Sequence, residues 1–215
     1  FYNEASYDIQ YGNVRRPTHK NTSWDVARFE VCAHKWADVS EPGYGFSLMN
    51  DCKYGHSVDE RGMALTLLKS STYPNPEADQ EVHRFTYAIM PHCGDWRDAN
   101  TSLMAYRLNV PVLTAAGRGA GKAPAGFASV DRENVVIEAV KQQLDGGDTI
   151  IRLYECYGAR TDVTLKLGFT PAYVKRVNLL EDELGDVDAA DGRLRFTLKP
   201  YEILTLKVGL GAALR

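Results

Sequence analysis

The sequence predicts an all-β chain of antiparallel, layered sheets. Apolar residues recur with a period of two in almost every ordered-looking run. Clusters of Gly, Pro, Asp and Asn separate those runs at short intervals. No stretch shows an apolar stripe of helical period flanked by capping residues.

The runs follow one another along the chain. Tyr44, Phe46 and Leu48 alternate with Gly45, Ser47 and Met49. Met63, Leu65 and Leu67 alternate with Ala64 and Thr66. Phe85, Tyr87 and Ile89 alternate with Arg84, Thr86 and Ala88. Met104, Tyr106, Leu108 and Val110 alternate with Ala105, Arg107 and Asn109. Each predicts a strand with one face toward a core. Glu41-Pro42-Gly43, Asp59-Glu60-Arg61-Gly62 and Tyr73-Pro74-Asn75-Pro76 supply the turns.

The composition changes over residues 115–126, AAGRGAGKAPAG, which reads as a flexible connection. Strands are then expected at 135–140, 149–154, 163–167, 172–177, 194–198 and 202–208. About six short strands in a stretch of this length fit a small sandwich of immunoglobulin-like size. The expected boundary divides the chain into 1–126 and 127–215.

The chain has 215 residues, 44% of them hydrophobic, and a net charge of −3. That is enough for one large or two small cores. The charges are mixed along the chain, with no basic block to suggest nucleic acid. No apolar run approaches the roughly 20 residues of a membrane span. Cys32, Cys52, Cys93 and Cys156 are far apart, without a paired-thiol zinc spacing. They read as free thiols in a reducing, cytoplasmic setting. The N-terminal FYNEASYDIQYGN lacks the pattern of a signal peptide and an initiator Met, so the expectation is a fragment or a processed product. Asn21-Thr22-Ser23 and Asn100-Thr101-Ser102 are glycosylation triplets only in a secreted context.

The polar segment MNDCKYGHSVDERG, residues 49–62, gathers Asp, Cys, Tyr, His and Glu. A metal would want paired ligands and then a second pair, which the spacing of Cys52 and His56 does not offer. A Cys–His nucleophile pair lacks a third group nearby. A hairpin loop, with Gly55 and Gly62 free to take positive φ, is the favoured reading. Glu77, Asp79 and Glu81 suggest a carboxylate pair for glycosidic chemistry, but a solvated loop before a strand is the favoured reading. Trp24 and Trp36 are suited to stacking on sugar faces, but packing is the commoner role in a β chain. No two histidines form a short ligand pair.

Together these segments resemble a known family. RRPTHKNTSWDVARFEVCAHKWADVSEPGYGFSLMNDCKYGHSV is similar to the C-terminal region of glycoside hydrolase family 38 α-mannosidases, in their bacterial and fungal cytosolic or vacuolar branch. ALTLLKSSTYPNPEADQEVHRFTYAIMPHCGDW continues the match. VVIEAVKQ, TIIRLYECYGARTDVTLKL, NLLEDE and LKPYEILTLKV resemble the terminal β domain of the same enzymes.

The resemblance implies the later part of an antiparallel β super-sandwich followed by a small immunoglobulin-like β-sandwich. It implies a zinc-dependent retaining hydrolase of α-mannosides. The zinc ligands, nucleophile and acid/base of the family belong to an N-terminal catalytic domain that this sequence does not contain. No catalytic or metal-ligating residue is therefore assigned here. The resemblance places two loops at the rim of the sugar site. One carries Asn50, Asp51 and Tyr54. The other runs over Glu77-Ala78-Asp79-Gln80-Glu81, with Gln80 at the family's basic position and Glu81 at its Gly, and on to His83. Asn50, Asp51, Tyr54, Gln80 and His83 are the expected substrate-binding residues. The expected partners are an α-mannoside, the catalytic domain and, for an exposed sheet edge, a second copy; nucleic acid and membrane are not expected. The alternative is a non-catalytic β-sandwich module that binds carbohydrate or protein.

Overall fold

A computed structural model describes residues 3–116 and 126–210. The chain divides into two compact units, Phe1–Thr114 and Ala115–Arg215. Residues 117–125 of the Gly-rich connection expected at 115–126 lie outside the described residues.

The first unit contains β1 (Glu4–Ile9), β2 (Gly12–Pro17), α1 (Ser23–Ala27), β3 (Val31–Cys32), β4 (Trp36–Glu41) and β5 (Tyr44–Asn50). β6 (Gly55–Asp59), β7 (Gly62–Thr66), β8 (Tyr87–His92) and α2 (Thr101–Asn109) complete it. A five-stranded antiparallel sheet has the order β2-β1-β4-β5-β8, and a three-stranded sheet the order β3-β6-β7. Alternation sorts the larger sheet into two faces. Ala5, Tyr7 and Ala37 are buried with Val31, Val58 and Met63 of the smaller sheet. The other face carries Ser6, Trp36, Asp38 and Ser47, and there Trp36 stacks on Trp96 at 4.9 Å between ring centroids. α2 lies against β4 and β5 with Thr101, Ser102 and Ala105 buried.

The second unit contains β9 (Ala128–Val130), β10 (Val135–Gln142), β11 (Thr149–Glu155), β12 (Thr161–Leu167) and β13 (Tyr173–Val177). β14 (Glu183–Asp186), β15 (Arg193–Leu198) and β16 (Ile203–Gly209) follow. Its sheets have the orders β10-β11-β16-β13-β14 and β15-β12-β9, antiparallel throughout. Val163, Leu165 and Leu167 of β12 turn inward while Asp162 and Lys166 face out, as a half-buried strand requires. Leu153, Leu165, Leu194 and Leu206 meet at the centre, each fully buried. The all-β sandwich fold expected from the sequence is therefore present.

Several expectations change. Residues 104–110 were expected as a strand and are mostly the helix α2. Met, Ala, Leu and Arg are good helix formers, and no β-branched residue falls between Thr101 and Val110. Leu103, Arg107 and Val110 form the exposed stripe of a helical period, which an alternating count of apolar residues hides. Residues 49–62 are not one long loop. Gly55–Asp59 is strand β6, paired with both β3 and β7, and only Glu60 and Arg61 form the two-residue turn. On β8 the inward and outward faces are reversed, because Tyr87 and Ile89 are 55% and 58% exposed. Trp36 is packed as expected, but Trp24 is 74% exposed on α1. Thr22 and Asp25 form a capping box on α1, so the first glycosylation triplet is a helix start.

Candidate functional site

β5 delivers Asn50 to the end of the large sheet, where its side chain and its carbonyl together bridge three segments. Asn50 is 1% exposed. Its Nδ2 donates to the His34 carbonyl at 3.0 Å, and its Oδ1 accepts from the Lys53 backbone amide at 2.6 Å. Its own carbonyl accepts from Asn109 Nδ2 of α2 at 2.9 Å. Asn50 thus shapes the 50–54 loop from beneath, and does not present its amide to a ligand.

Asp51 ties this loop to the second one. Its Oδ1 accepts from the Thr86 amide at 2.9 Å, and its own amide donates to the Thr86 carbonyl at 3.1 Å. The Thr86 bond, with help from Cys52, holds the exposed Asp51 carboxyl below the usual carboxylate range. The same neighbour pushes the Cys52 thiol up, since Asp51 disfavours a thiolate. Cys52 Sγ approaches the Arg84 carbonyl at 3.9 Å, and Lys53 Nζ lies 5.2 Å above the Phe85 ring. The 50–53 and 84–86 segments are therefore zipped together.

Tyr54 follows directly, 54% exposed, with its ring edge-on to His34 at 5.5 Å. Its carbonyl accepts from the Ala33 amide and from His56 Nδ1, which aims the side chain outward. His56 is 1% exposed, and burial lowers its pKa, so it is a neutral core residue of β6.

The other two expected residues are engaged within their own loop. Gln80 Nε2 donates to the Pro76 carbonyl at 3.0 Å, and His83 Nε2 donates to the Asp79 carbonyl at 2.9 Å. Asp79 accepts from the Ser70 amide at 2.9 Å and closes the loop's base. Asn50 and Asp51 are thus brought beside Arg84–Thr86. Gln80 and His83 fold onto their own loop's carbonyls and make no hydrogen bond to Asp51 or Tyr54.

A second polar cluster lies inside the sheet and was not expected. His92 Nε2 is 2.8 Å from Asp38 Oδ2 and 3.2 Å from Ser47 Oγ. Ser47 donates to Asp38 Oδ2 at 2.6 Å and meets Thr101 Oγ1 at 2.9 Å. Ser40 donates to the other Asp38 oxygen. The residue types suggest a hydrolytic triad, but the geometry excludes one. A triad uses both imidazole nitrogens, one for Ser and one for Asp. Here both partners share Nε2, and Nδ1 is buried without a partner among the described residues. The cluster pins α2 to the sheet through Thr101. Its sequence signal is the presence of Asp38, Ser47 and His92 inside otherwise apolar strand runs.

Among the described residues, no three His, Cys, Asp or Glu side chains converge as metal ligands would. The zinc implied by the resemblance has no fitting donor set among them. What the 50–54 and 84–86 segments can offer is a fixed rim of hydrogen-bonding and aromatic groups: the Asp51 carboxylate, the Lys53 ammonium and the Tyr54 phenol.

These features define an all-β region of two antiparallel units, with the polar 50–54 loop fastened to the 84–86 segment at one end of the large sheet. Residues 2–77 match the glycosyl hydrolases family 38 C-terminal domain, and residues 134–206 match the family's C-terminal beta sandwich domain. The chain belongs to glycosyl hydrolase family 38, as part of its C-terminal β region. Human Alpha-mannosidase 2C1 is 43% identical over 94% of this chain and 20% of its own length. Alpha-mannosidase G of Dictyostelium discoideum is 36% identical over 94% of this chain and 19% of its own. Alpha-mannosidase of Saccharomyces cerevisiae is 33% identical over 95% and 21%. The chain therefore spans about a fifth of the length of the curated relatives it matches. The crystal structure of an alpha-mannosidase from Enterococcus faecalis V583 shares the fold, with a TM-score of 0.77 and 20% identity over 96% of this chain and 24% of that one.

Proposed function

We propose that the whole protein to which this chain belongs is a zinc-dependent retaining α-mannosidase of the cytoplasm, and that this chain supports its catalytic region and lines the rim of its sugar site. The observation that carries the activity is the ordered match of both C-terminal domains within relatives named as α-mannosidases. Zinc and the reacting carboxylates are supplied by the rest of the protein. Among the described residues no disulfide joins Cys32, Cys52, Cys93 and Cys156, as a reducing compartment would leave them.

The rim role rests on geometry. Asp51, Lys53 and Tyr54 leave a loop whose backbone is fixed from below by Asn50 and from the side by Thr86. Sugar hydroxyls need donors and acceptors held in advance, and such a loop meets that need at little ordering cost. The β8 edge, with Tyr87 and Ile89 outward, is a surface for the catalytic region or for a second copy.

The test has two arms. The 215-residue chain alone should neither turn over an aryl α-mannoside nor retain a stoichiometric zinc. In the whole protein, Tyr54→Ala should raise KM severalfold, with zinc content and kcat little changed. Turnover proportional to the amount of isolated chain would overturn the supporting role. Unchanged kinetics in Tyr54→Ala would remove the rim role and leave the family assignment intact.

A further inference from the structure

The small sheet of the first unit covers only part of the large one. Ala37 of β4, Leu48 of β5 and Ile89 of β8 stand in one register row, so their side chains share a face. Along that row exposure rises from 0% to 8% to 58%. Val39, Phe46 and Pro91 form the next row and repeat the trend, half-buried on β4 and β5 and exposed on β8. Ala37 and Val39 pack with Val58 and Met63 of the small sheet. The cover therefore runs out over β5, and this face of β8 is bare among the described residues.

The small sheet stops there in an open edge. Among the described residues β7 is paired with β6 and with no other strand. Asp59 and Gly62 close the two-residue turn, so they form a hydrogen-bonded pair, as do Ser57 with Ala64 and Gly55 with Thr66. The N–H and C=O groups of Met63 and Leu65 then point away from β6, toward the free edge. Met63 also lines, with Val39, Tyr44 and Phe46, an open groove of about 550 Å³ between this edge and the large sheet. An apolar floor and a row of free ladder groups thus lie side by side.

We propose that an extended segment of the same protein, outside these 215 residues, pairs with β7 and continues the small sheet over β5 and β8. A strand added to an edge stands about 4.8 Å beyond it, which from β7 is above Phe46. Its inward side chains, every second residue, are apolar and meet Phe46 and Ile89. A helix laid in the groove would leave the Met63 and Leu65 ladder groups without partners. A second copy fits worse. Antiparallel pairing of two β7 edges places both small sheets in one layer and both large sheets in the other. Each large sheet reaches β5 and β8 past its own β7, so the two would overlap. The chain is about a fifth of the length of its curated relatives, so a protein of their size has ample chain to supply the strand. The inference rests on the reading that this chain is part of such a protein. Turnover tests that reading and the β7 edge is tested separately, so the two fail apart.

The test compares amide hydrogen exchange in the isolated chain and in the whole protein. The Met63 and Leu65 amides should exchange roughly tenfold or more slowly in the whole protein, because they gain a ladder partner there. The Ala64 amide, bonded to β6 in both, should change less. Ile89→Asp should leave the isolated chain folded, as a dispersed amide spectrum would show, since Ile89 faces water there. In the whole protein it should speed exchange at Met63 and Leu65 and lower the melting temperature. A photoreactive benzoylphenylalanine at position 44 of the whole protein should cross-link, within one polypeptide, to a peptide outside the 215 residues. Equal exchange at Met63 and Leu65 in the two samples would overturn the proposal. So would protection that grows with the concentration of the isolated chain, which would assign the edge to a second copy, or a cross-link formed only to residues of these 215.

Discussion

Asn109, the last residue of α2, donates its side-chain amide to the backbone carbonyl of Asn50, the last residue of β5, at 2.9 Å. The same amide reaches the Ala105 carbonyl within the helix at 2.9 Å. At its other end α2 is tied to Ser47 through Thr101. The helix is thus a strut between a buried polar cluster and the 50–54 loop.

Removing that tie should loosen the rim without unfolding the unit. In Asn109→Ala, the Asn50 carbonyl loses a partner, at a cost of roughly 1 kcal/mol. Amide exchange at Lys53, whose N–H is held by Asn50, should accelerate. In the whole protein KM should rise severalfold while kcat stays near its original value. Unchanged exchange at Lys53 would show that the loop does not depend on α2.

Glu155 is the polar centre of the second unit. Its carboxylate is fully buried and accepts from Asn134 Nδ2 and from the amides of Tyr157, Gly158, Ala159 and Tyr201. It gathers three connecting segments onto one anion. In Glu155→Gln an amide N–H₂ would face donors in place of one oxygen, with loss of the charge-assisted bonds. Unfolding by denaturant should then show a destabilisation of roughly 2–4 kcal/mol. A loss under about 0.5 kcal/mol would mean that water replaces the carboxylate.

Face assignment can be tested by paired truncations. Leu153 is fully buried between the two sheets of the second unit, so Leu153→Ala should cost about 2–5 kcal/mol through the cavity it leaves. Tyr87 sits on an edge strand and is more than half exposed, so Tyr87→Ala should cost under about 1 kcal/mol in the isolated chain. A larger effect at Tyr87 in the whole protein than in the chain would show that another region covers β8.

The second unit was the more legible from sequence. Its strands are half-buried, and Val163, Leu165 and Leu167 alternate with polar residues without interruption. The strands missed there, β9 and β14, are three and four residues long, too short for a period to stand out, and β14 is exposed along its whole length. In the first unit the large sheet is covered on both faces, so β5, read from the alternation over 44–49, buries Ser47, Leu48, Met49 and Asn50 in succession where one buried face was expected. α2 was hidden because its apolar residues happen to alternate. The rim loops were placed by likeness to a family, and their zipping through Asp51 and Thr86 depends on strand register that no local pattern encodes. The buried Asp38 cluster joins residues as far apart as Asp38 and His92, a pairing that only the folded sheet creates.

The pH response should show two separate components. His56 is buried, and burial depresses its pKa below the ordinary 6.5. The unfolded chain therefore takes up a proton near pH 6.5 while the folded chain resists it. Stability is full above pH 6.5 and falls as the pH drops below that value. Glu183 acts further down. It accepts from both Lys175 and Lys207, and these ammonium groups lower its carboxyl from 4.5 to about 2. Its contribution is complete above about pH 4.5 and is lost as the pH falls toward 2. Glu183 is solvent-exposed, so salt should weaken its part more than that of His56. Thermal melts from pH 8 to 2 should show a first decline below pH 6.5 that flattens in His56→Asn. A second decline below pH 4.5 should flatten in Glu183→Gln and shrink at high salt. Identical profiles for wild type and His56→Asn would show that His56 titrates alike in the folded and unfolded chain, against its burial in β6.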